Sequence, residues 1–155
     1  MLQESQINQF IKNDNSLLNG YIIPIKDYPT FSQIMKKCPR WNNEIPFAYS
    51  AFGDLFVVDN EGYIILYAMV DNDKSVICAD SELFFQLIND IDYQKDYFNL
   101  EDYESAVKKC GKLEKDECYT YEPIPALGGD KNINNIQKGK IREYLSMIVS
   151  FMSSM

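Results

Sequence analysis

Carboxylates are the main chemical material of this chain: residues 51 to 130 hold 18 Asp and Glu against six Lys and Arg, and there is no histidine anywhere. Carboxylates support metal binding or general acid–base chemistry, so each cluster is weighed for both. Asp71-Asn72-Asp73 begins like a calcium loop. Its sixth position is Val76, where the sharp turn needs Gly; Glu82 at the twelfth matches without that turn, so a hairpin turn is the better reading. Asp90 and Asp92 read as the close of one helix. Glu101, Asp102 and Glu104 read as the start of the next, where the helix dipole favours negative charge without any metal. A Ser or Cys nucleophile would lack its usual imidazole base. Lys, Tyr or paired carboxylates remain as acid–base candidates, but no spacing selects any of them. Gly128-Gly129-Asp130-Lys131 is neither a P-loop nor a dinucleotide fingerprint. The sequence therefore predicts no catalytic residue, no metal and no cofactor.

Cys38, Cys78, Cys110 and Cys118 stand far apart with no C-x-x-C pair, which disfavours zinc ribbons and thioredoxin-like motifs. They read as reduced thiols of a cytoplasmic protein. No apolar run reaches the roughly 18 to 20 residues of a spanning helix, and the first residues lack a positive stretch followed by an apolar one. A membrane association is therefore not predicted.

At 155 residues, 46% hydrophobic and 14% aromatic, the chain can bury one core as a single domain. Its 11 Tyr and nine Phe are rich for this length, and some Tyr are expected at a surface. The net charge of −8 is unevenly spread, because residues 1 to 50 and 131 to 155 are slightly basic. The acidic middle repels DNA and RNA, which excludes nucleic acid as a partner, and it would steer a basic partner inward. A charge block of this kind also serves merely as a solvated face.

Ile7, Phe10 and Ile11 predict a short N-terminal helix over residues 3 to 12. Residues 21 to 25 are apolar but interrupted by Pro24, which suits an edge strand or irregular segment. Phe31 to Lys37 reads as a helix capped by Thr30. Phe52 to Val58 and Tyr63 to Val70 read as a β-hairpin about Asp59-Asn-Glu-Gly62, with a third strand over Ser75 to Cys78. Ser81 or Asp80 caps a helix carrying Leu83, Phe84, Leu87, Ile88 and Ile91, and a second spans Leu100 to Lys109 before Gly111. The last helix, Ile141 to Phe151, puts Ile141, Tyr144, Leu145, Ile148, Val149 and Met152 on one stripe. The fold class is α+β: an antiparallel meander packed with several helices in a single domain. Residues 1 to 46 are read as a helical and irregular segment packed on a main domain of residues 47 to 155.

Four segments carry a resemblance. They are Ala51-Phe-Gly-Asp-Leu-Phe56, the strand-turn-strand after it, Gly111-Lys-Leu-Glu-Lys-Asp-Glu-Cys-Tyr119, and Pro125-Ala-Leu-Gly-Gly129 leading through Asn135-Ile-Gln-Lys138 to the last helix. Over residues 47 to 152 the chain resembles the C-terminal domain family of Tdi-type type VI secretion immunity proteins. It departs from the pattern at Thr120-Tyr121-Glu122, where the family usually has an apolar or aromatic Gly-Phe step after Cys-Tyr, and residues 1 to 46 look like a shortened or divergent stand-in for a larger N-terminal domain. The resemblance implies a bacterial, non-enzymatic protein that neutralises a secreted toxin, a nuclease in the founding case, by stoichiometric binding.

Phe52, Gly53, Asp54, Cys118, Tyr119, Pro125, Gly128 and Gly129 carry the motifs and read as structural: Gly53 for close approach or unusual φ, Asp54 for backbone amides, Tyr119 for a hydroxyl seated in the core. The expected partner is a cognate toxin with a basic surface. Asp71, Asp73, Asp90, Asp92, Glu101, Asp102 and Glu104 are the candidate partner-binding residues. The alternative is a non-enzymatic interaction or small-ligand module. An enzyme would need converging carboxylates or a reactive thiol such as Cys118.

Overall fold

The computed structural model describes residues 2–125 and 128–154. Five antiparallel strands in sequential order build the main sheet: β1 (Ile22–Pro24), β2 (Ile45–Ser50), β3 (Leu55–Val58), β4 (Ile64–Ala68) and β5 (Asp73–Cys78). A second, two-stranded sheet pairs β6 (Glu117–Tyr121) with β7 (Ile136–Lys140). The helices are α1 (Leu2–Asn13), α2 (Tyr28–Met35), α3 (Ser81–Leu87), α4 (Ile91–Tyr97), α5 (Leu100–Cys110) and α6 (Ile141–Ser153). The architecture is α+β, as the sequence predicts, and no helix of the described residues is long and apolar enough to cross a membrane.

Strand alternation sends side chains to opposite faces, and here both faces are covered. Phe56, Val58, Ile64 and Leu66 join Phe10, Phe84, Ile88 and Tyr103 on the α1, α3 and α5 side. Leu55, Val57, Ile65 and Tyr67 join Phe31, Met35, Leu145 and Ile148 on the α2 and α6 side. A strand buried on both faces reads as a continuous apolar run, which is why β3 and β4 are so plain in the sequence. All six residues of the predicted α6 stripe are buried.

Several local readings are corrected. The α2 cap is Asp27, whose carboxylate accepts the Thr30 N–H and hydroxyl, so Thr30 lies inside the first turn beside Pro29. Ser50 to Asp54 form a turn between β2 and β3, so β3 starts at Leu55 and not at Phe52. Asp90 and Asp92 open a helix: Asp90 caps α4 by accepting the Tyr93 N–H at 3.0 Å, and Asp92 lies in its first turn. The meander has five strands, of which the three predicted ones are the last, and β2 runs from Ile45 across position 46.

The turn after β2 is the socket for the second sheet. Ala51 accepts the Tyr119 N–H at 2.7 Å, and its own N–H donates to the Tyr21 carbonyl at 2.8 Å. The Phe52 ring lies nearly parallel to Tyr121 at 6.0 Å and also meets Tyr119 and Tyr21. Tyr119 is fully buried and its hydroxyl donates to the Gly111 carbonyl at 2.6 Å. At the other end of the loop after β6, Gly129 packs where a Cβ would stand 1.8 Å from the Pro123 carbonyl oxygen, so only glycine fits. Of the Pro125-to-Gly129 motif, Ala126 and Leu127 lie outside the described residues.

Candidate functional site

Where the main sheet, the α4–α5 junction and the loop after β6 meet, they leave a cleft of about 410 Å³. Its inner surface is aromatic: Tyr21, Phe52, Tyr97, Phe98 and Tyr121. Its polar lining is dominated by Asp54, Asp71, Asp73 and Asp96, opposed by Lys131.

Each element contributes for a local reason. After Met69–Asp71, Asn72 adopts φ +52°, and this left-handed turn separates Asp71 from Asp73 at the start of β5. Asp71 pairs with Lys131 across the opening. α4 ends as Phe98 turns extended, and α5 begins after Asn99. That junction is pinned to the sheet, since the Asn99 N–H donates to the Tyr21 hydroxyl at 2.9 Å and the Tyr103 hydroxyl donates to the Asn19 carbonyl at 2.6 Å. Tyr97 is half-buried and packs edge-on against Tyr93 at 4.9 Å.

Asp54 sits in the cleft floor with little exposure. Its carboxylate accepts the Ser50 hydroxyl at 3.1 Å and the Met69 N–H. Burial pushes its pKa up to about 6, and the Asp71 carboxylate adds to this, while the Ser50 bond and Lys131 work the other way. Burial likewise pushes Tyr121 up to about 12, with help from Asp102, Asp54 and Asp71. The cleft is thus a place where negative charge is already crowded.

A pH consequence follows from Asp54. A carboxyl with a folded pKa near 6 against an ordinary 3.8 contributes stability below pH 3.8 that is lost as pH rises through 6. Asp54→Asn keeps an oxygen for the Ser50 and Met69 donors and removes the crowded charge. We expect it to raise stability at pH 7.5 by on the order of 2 kcal/mol and to flatten the decline between pH 4 and 6. Urea melts of both proteins across that range check this, and an unchanged slope rejects it.

Of the seven candidate partner-binding residues, the structure brings Asp71 and Asp73 into the cleft. Asp102 stands beside it, accepting the Asn99 side-chain N–H at 3.1 Å. Glu101 and Glu104 are exposed on α5, and Asp90 and Asp92 are exposed at the start of α4, away from the cleft lining. Sequence reading missed Asp96, Tyr97, Lys131 and the cleft position of Asp54. Asp96 lies four residues after Asp92 on α4, a spacing that places both along one side of the helix.

Among the described residues no group of three Cys, Asp or Glu side chains converges as a metal site. Cys118 is fully buried, and burial pushes its thiol far up, the Glu117 and Asp54 charges adding to the effect. Such a thiol is neither ionised nor reachable, which removes it as a nucleophile.

Comparison with known proteins places these features. The structure matches the crystal structure of Atu4351 from Agrobacterium tumefaciens with a TM-score of 0.62, over 94% of this chain and 80% of that one, at 14% identity. That likeness establishes a shared fold. No curated protein matches the chain. The family model described as T6SS immunity protein Tdi1, C-terminal, matches residues 79–152. This span holds α3 to α6 with β6 and β7, including Asp96, Tyr97, Tyr121 and Lys131, and it begins after the Ala51–Phe56 motif. The family resembled by the sequence motifs and the family matched over residues 79–152 are therefore one and the same, the C-terminal domain of T6SS immunity protein Tdi1.

Proposed function

We propose that this chain is a cytoplasmic immunity protein that neutralises a type VI secretion toxin by direct one-to-one binding, without turnover. The carrying observation is the aromatic cleft ringed by Asp54, Asp71, Asp73 and Asp96, to which the segment that matches the family contributes Asp96, Tyr97, Phe98, Asn99, Tyr121 and Lys131. A toxin that handles nucleic acid carries a basic cleft, and an acidic surface with fixed aromatic groups is complementary to it. Asp71, Asp73 and Asp102, with Glu101 and Glu104 on the adjoining helix, would present that surface. The toxin's chemistry would be that of a nuclease.

The test pairs the protein with the product of a neighbouring toxin gene. Asp73→Lys combined with Asp96→Lys reverses two exposed charges that take no hydrogen bond or ion pair among the described residues. We expect toxin affinity to fall at least about a hundredfold, with a weaker salt dependence and loss of protection on co-expression. Unchanged affinity and unchanged salt slope reject the acidic cleft as the interface. A second reading, a small-ligand module, draws on the same aromatic cleft; retention of a small molecule with no protein partner from native lysate would favour it.

A further inference from the structure

We propose that the cleft is a receptor for a single arginine side chain presented by the partner protein. The partner's identity as a toxin rests on the function proposed above; the guanidinium site rests on the cleft alone. Its volume of about 410 Å³ suits an organic group and far exceeds a bare metal ion.

The chain already shows which charge the cleft accepts. Lys131 seats its ammonium on Asp71, so a cation of the protein's own occupies part of the opening. That ammonium serves only one exposed carboxylate. Asp73 and Asp96 line the same cleft and take no hydrogen bond or ion pair among the described residues. The two carboxylates on the side of β5 and α4 are therefore open to a cation brought by a partner.

The aromatic lining decides between the two candidate cations. Lysine's ammonium is compact and strongly hydrated, and gains little by leaving water for an aromatic wall. A guanidinium is planar, weakly hydrated and able to stack on a ring while its edge donates to two carboxylates. Tyr97 is half-buried in the cleft wall with its ring fixed against Tyr93, so it offers such a face beside Asp96 on the same helix. A lining that combines Tyr97 and Asp96 of α4 with Asp73 of β5 suits a flat cation.

The experiment uses the whole chain, isotope-labelled, titrated by NMR at low salt with the tripeptide Gly-Arg-Gly. Gly-Lys-Gly and the neutral isostere Gly-citrulline-Gly serve as comparisons. Saturable shifts at the amides of residues 96–99 and 131, with Gly-Arg-Gly about tenfold tighter than Gly-Lys-Gly and citrulline silent, are expected. Asp73→Asn with Asp96→Asn should abolish saturation, and Lys131→Met, which removes the internal competitor, should tighten Gly-Arg-Gly severalfold. Both Asp side chains are free of internal bonds, so a dispersed spectrum for the double variant confirms its fold. Absence of saturable shifts, or equal binding of arginine and citrulline, overturns the site; equal binding of arginine and lysine overturns its guanidinium selectivity. Gly-Arg-Gly binding without toxin protection would sink the immunity reading and leave the site standing. Protection without Gly-Arg-Gly binding would do the reverse.

Discussion

Gly53→Val should destabilise the protein by about 3 to 4 kcal/mol, enough to leave a marginally stable domain substantially unfolded at 37 °C. Two costs combine. Gly53 holds φ +88°, a conformation that a β-branched residue adopts only with strain of about 1 to 2 kcal/mol. A Cβ at this position also lies 3.2 Å from two carbons of the Tyr144 ring, so the added methyl groups overpack the contact by a further 1 to 3 kcal/mol or so. Tyr144 cannot simply swing aside, because it is 4% exposed and its hydroxyl accepts the Tyr121 N–H at 3.3 Å. Displacing that ring would move β6 and with it the Phe52–Tyr121 stack that floors the cleft. Gly53→Ala should fall between wild type and Val. Urea denaturation at pH 7.5 measures both, and a Gly53→Ala protein as stable as wild type would show that the turn relaxes freely. Since Gly53 carries no side chain to contact a partner, the proposed toxin protection should fall in the Val variant only as far as folded protein is lost.

The readable parts of this fold were those whose local chemistry agrees with their tertiary setting. The β3–β4 hairpin has apolar runs on both sides of a turn in which Asp59 accepts the N–H groups of Glu61 and Tyr63, and α6 has a full stripe against the sheet. β2 escaped notice because Pro46 sits inside it, at an irregularity in its pairing with β3. β7 carries no strand signal of its own because it is mostly exposed, with two lysines and Gly139; its pairing with β6 makes it a strand, and no local preference does. The α3–α4 break was hidden because Ile88 and Ile91 continue the helical spacing through the Asp90 cap. The site was legible as an excess of charge but not as a place. Asp54, Asp73, Asp96 and Lys131 come from a turn, a strand, a helix and a loop, and only the tertiary packing of α4 and of the β6–β7 unit around the main sheet brings them to one opening. The motif residues around Gly53 and Tyr119 lie directly beneath that opening, so the structural signature and the candidate site are two sides of one junction.

Glu44→Ala should cost about 3 kcal/mol, and that cost should shrink in acid. Glu44 is 4% exposed, lies in the segment leading into β2, and is the acceptor of a network that ties this segment to the sheet. Its carboxylate takes the Tyr67 hydroxyl at 2.8 Å, the Asn42 N–H at 3.0 Å and the Lys74 ammonium at 2.8 Å. Lys74 also donates to the Arg40 carbonyl at 3.0 Å and lies 5.0 Å from the centre of the Tyr67 ring. Truncation removes the only carboxylate in this group and leaves the Lys74 ammonium, 23% exposed at its side chain, without its counter-charge. Partial hydration of that ammonium keeps the cost below that of a fully buried pair. Burial disfavours the Glu44 charge, but the bonds from Lys74, Asn42 and Tyr67 outweigh it and hold the carboxyl below its ordinary 4.5. Stability from such a group is present above pH 4.5 and is lost as pH falls through the lower folded value. This sign is opposite to that of Asp54, whose contribution is lost as pH rises toward 6. Urea melts of wild type and Glu44→Ala at pH 7.5 and pH 3 separate the two groups: the difference between the proteins should be full at the first pH and much reduced at the second. A difference that stays constant would mean that Glu44 acts through packing and not through its charge. Because Lys74 follows Asp73 directly on β5, the same truncation should also loosen the strand that carries one wall of the cleft, and a weaker Gly-Arg-Gly titration in the folded variant would register it.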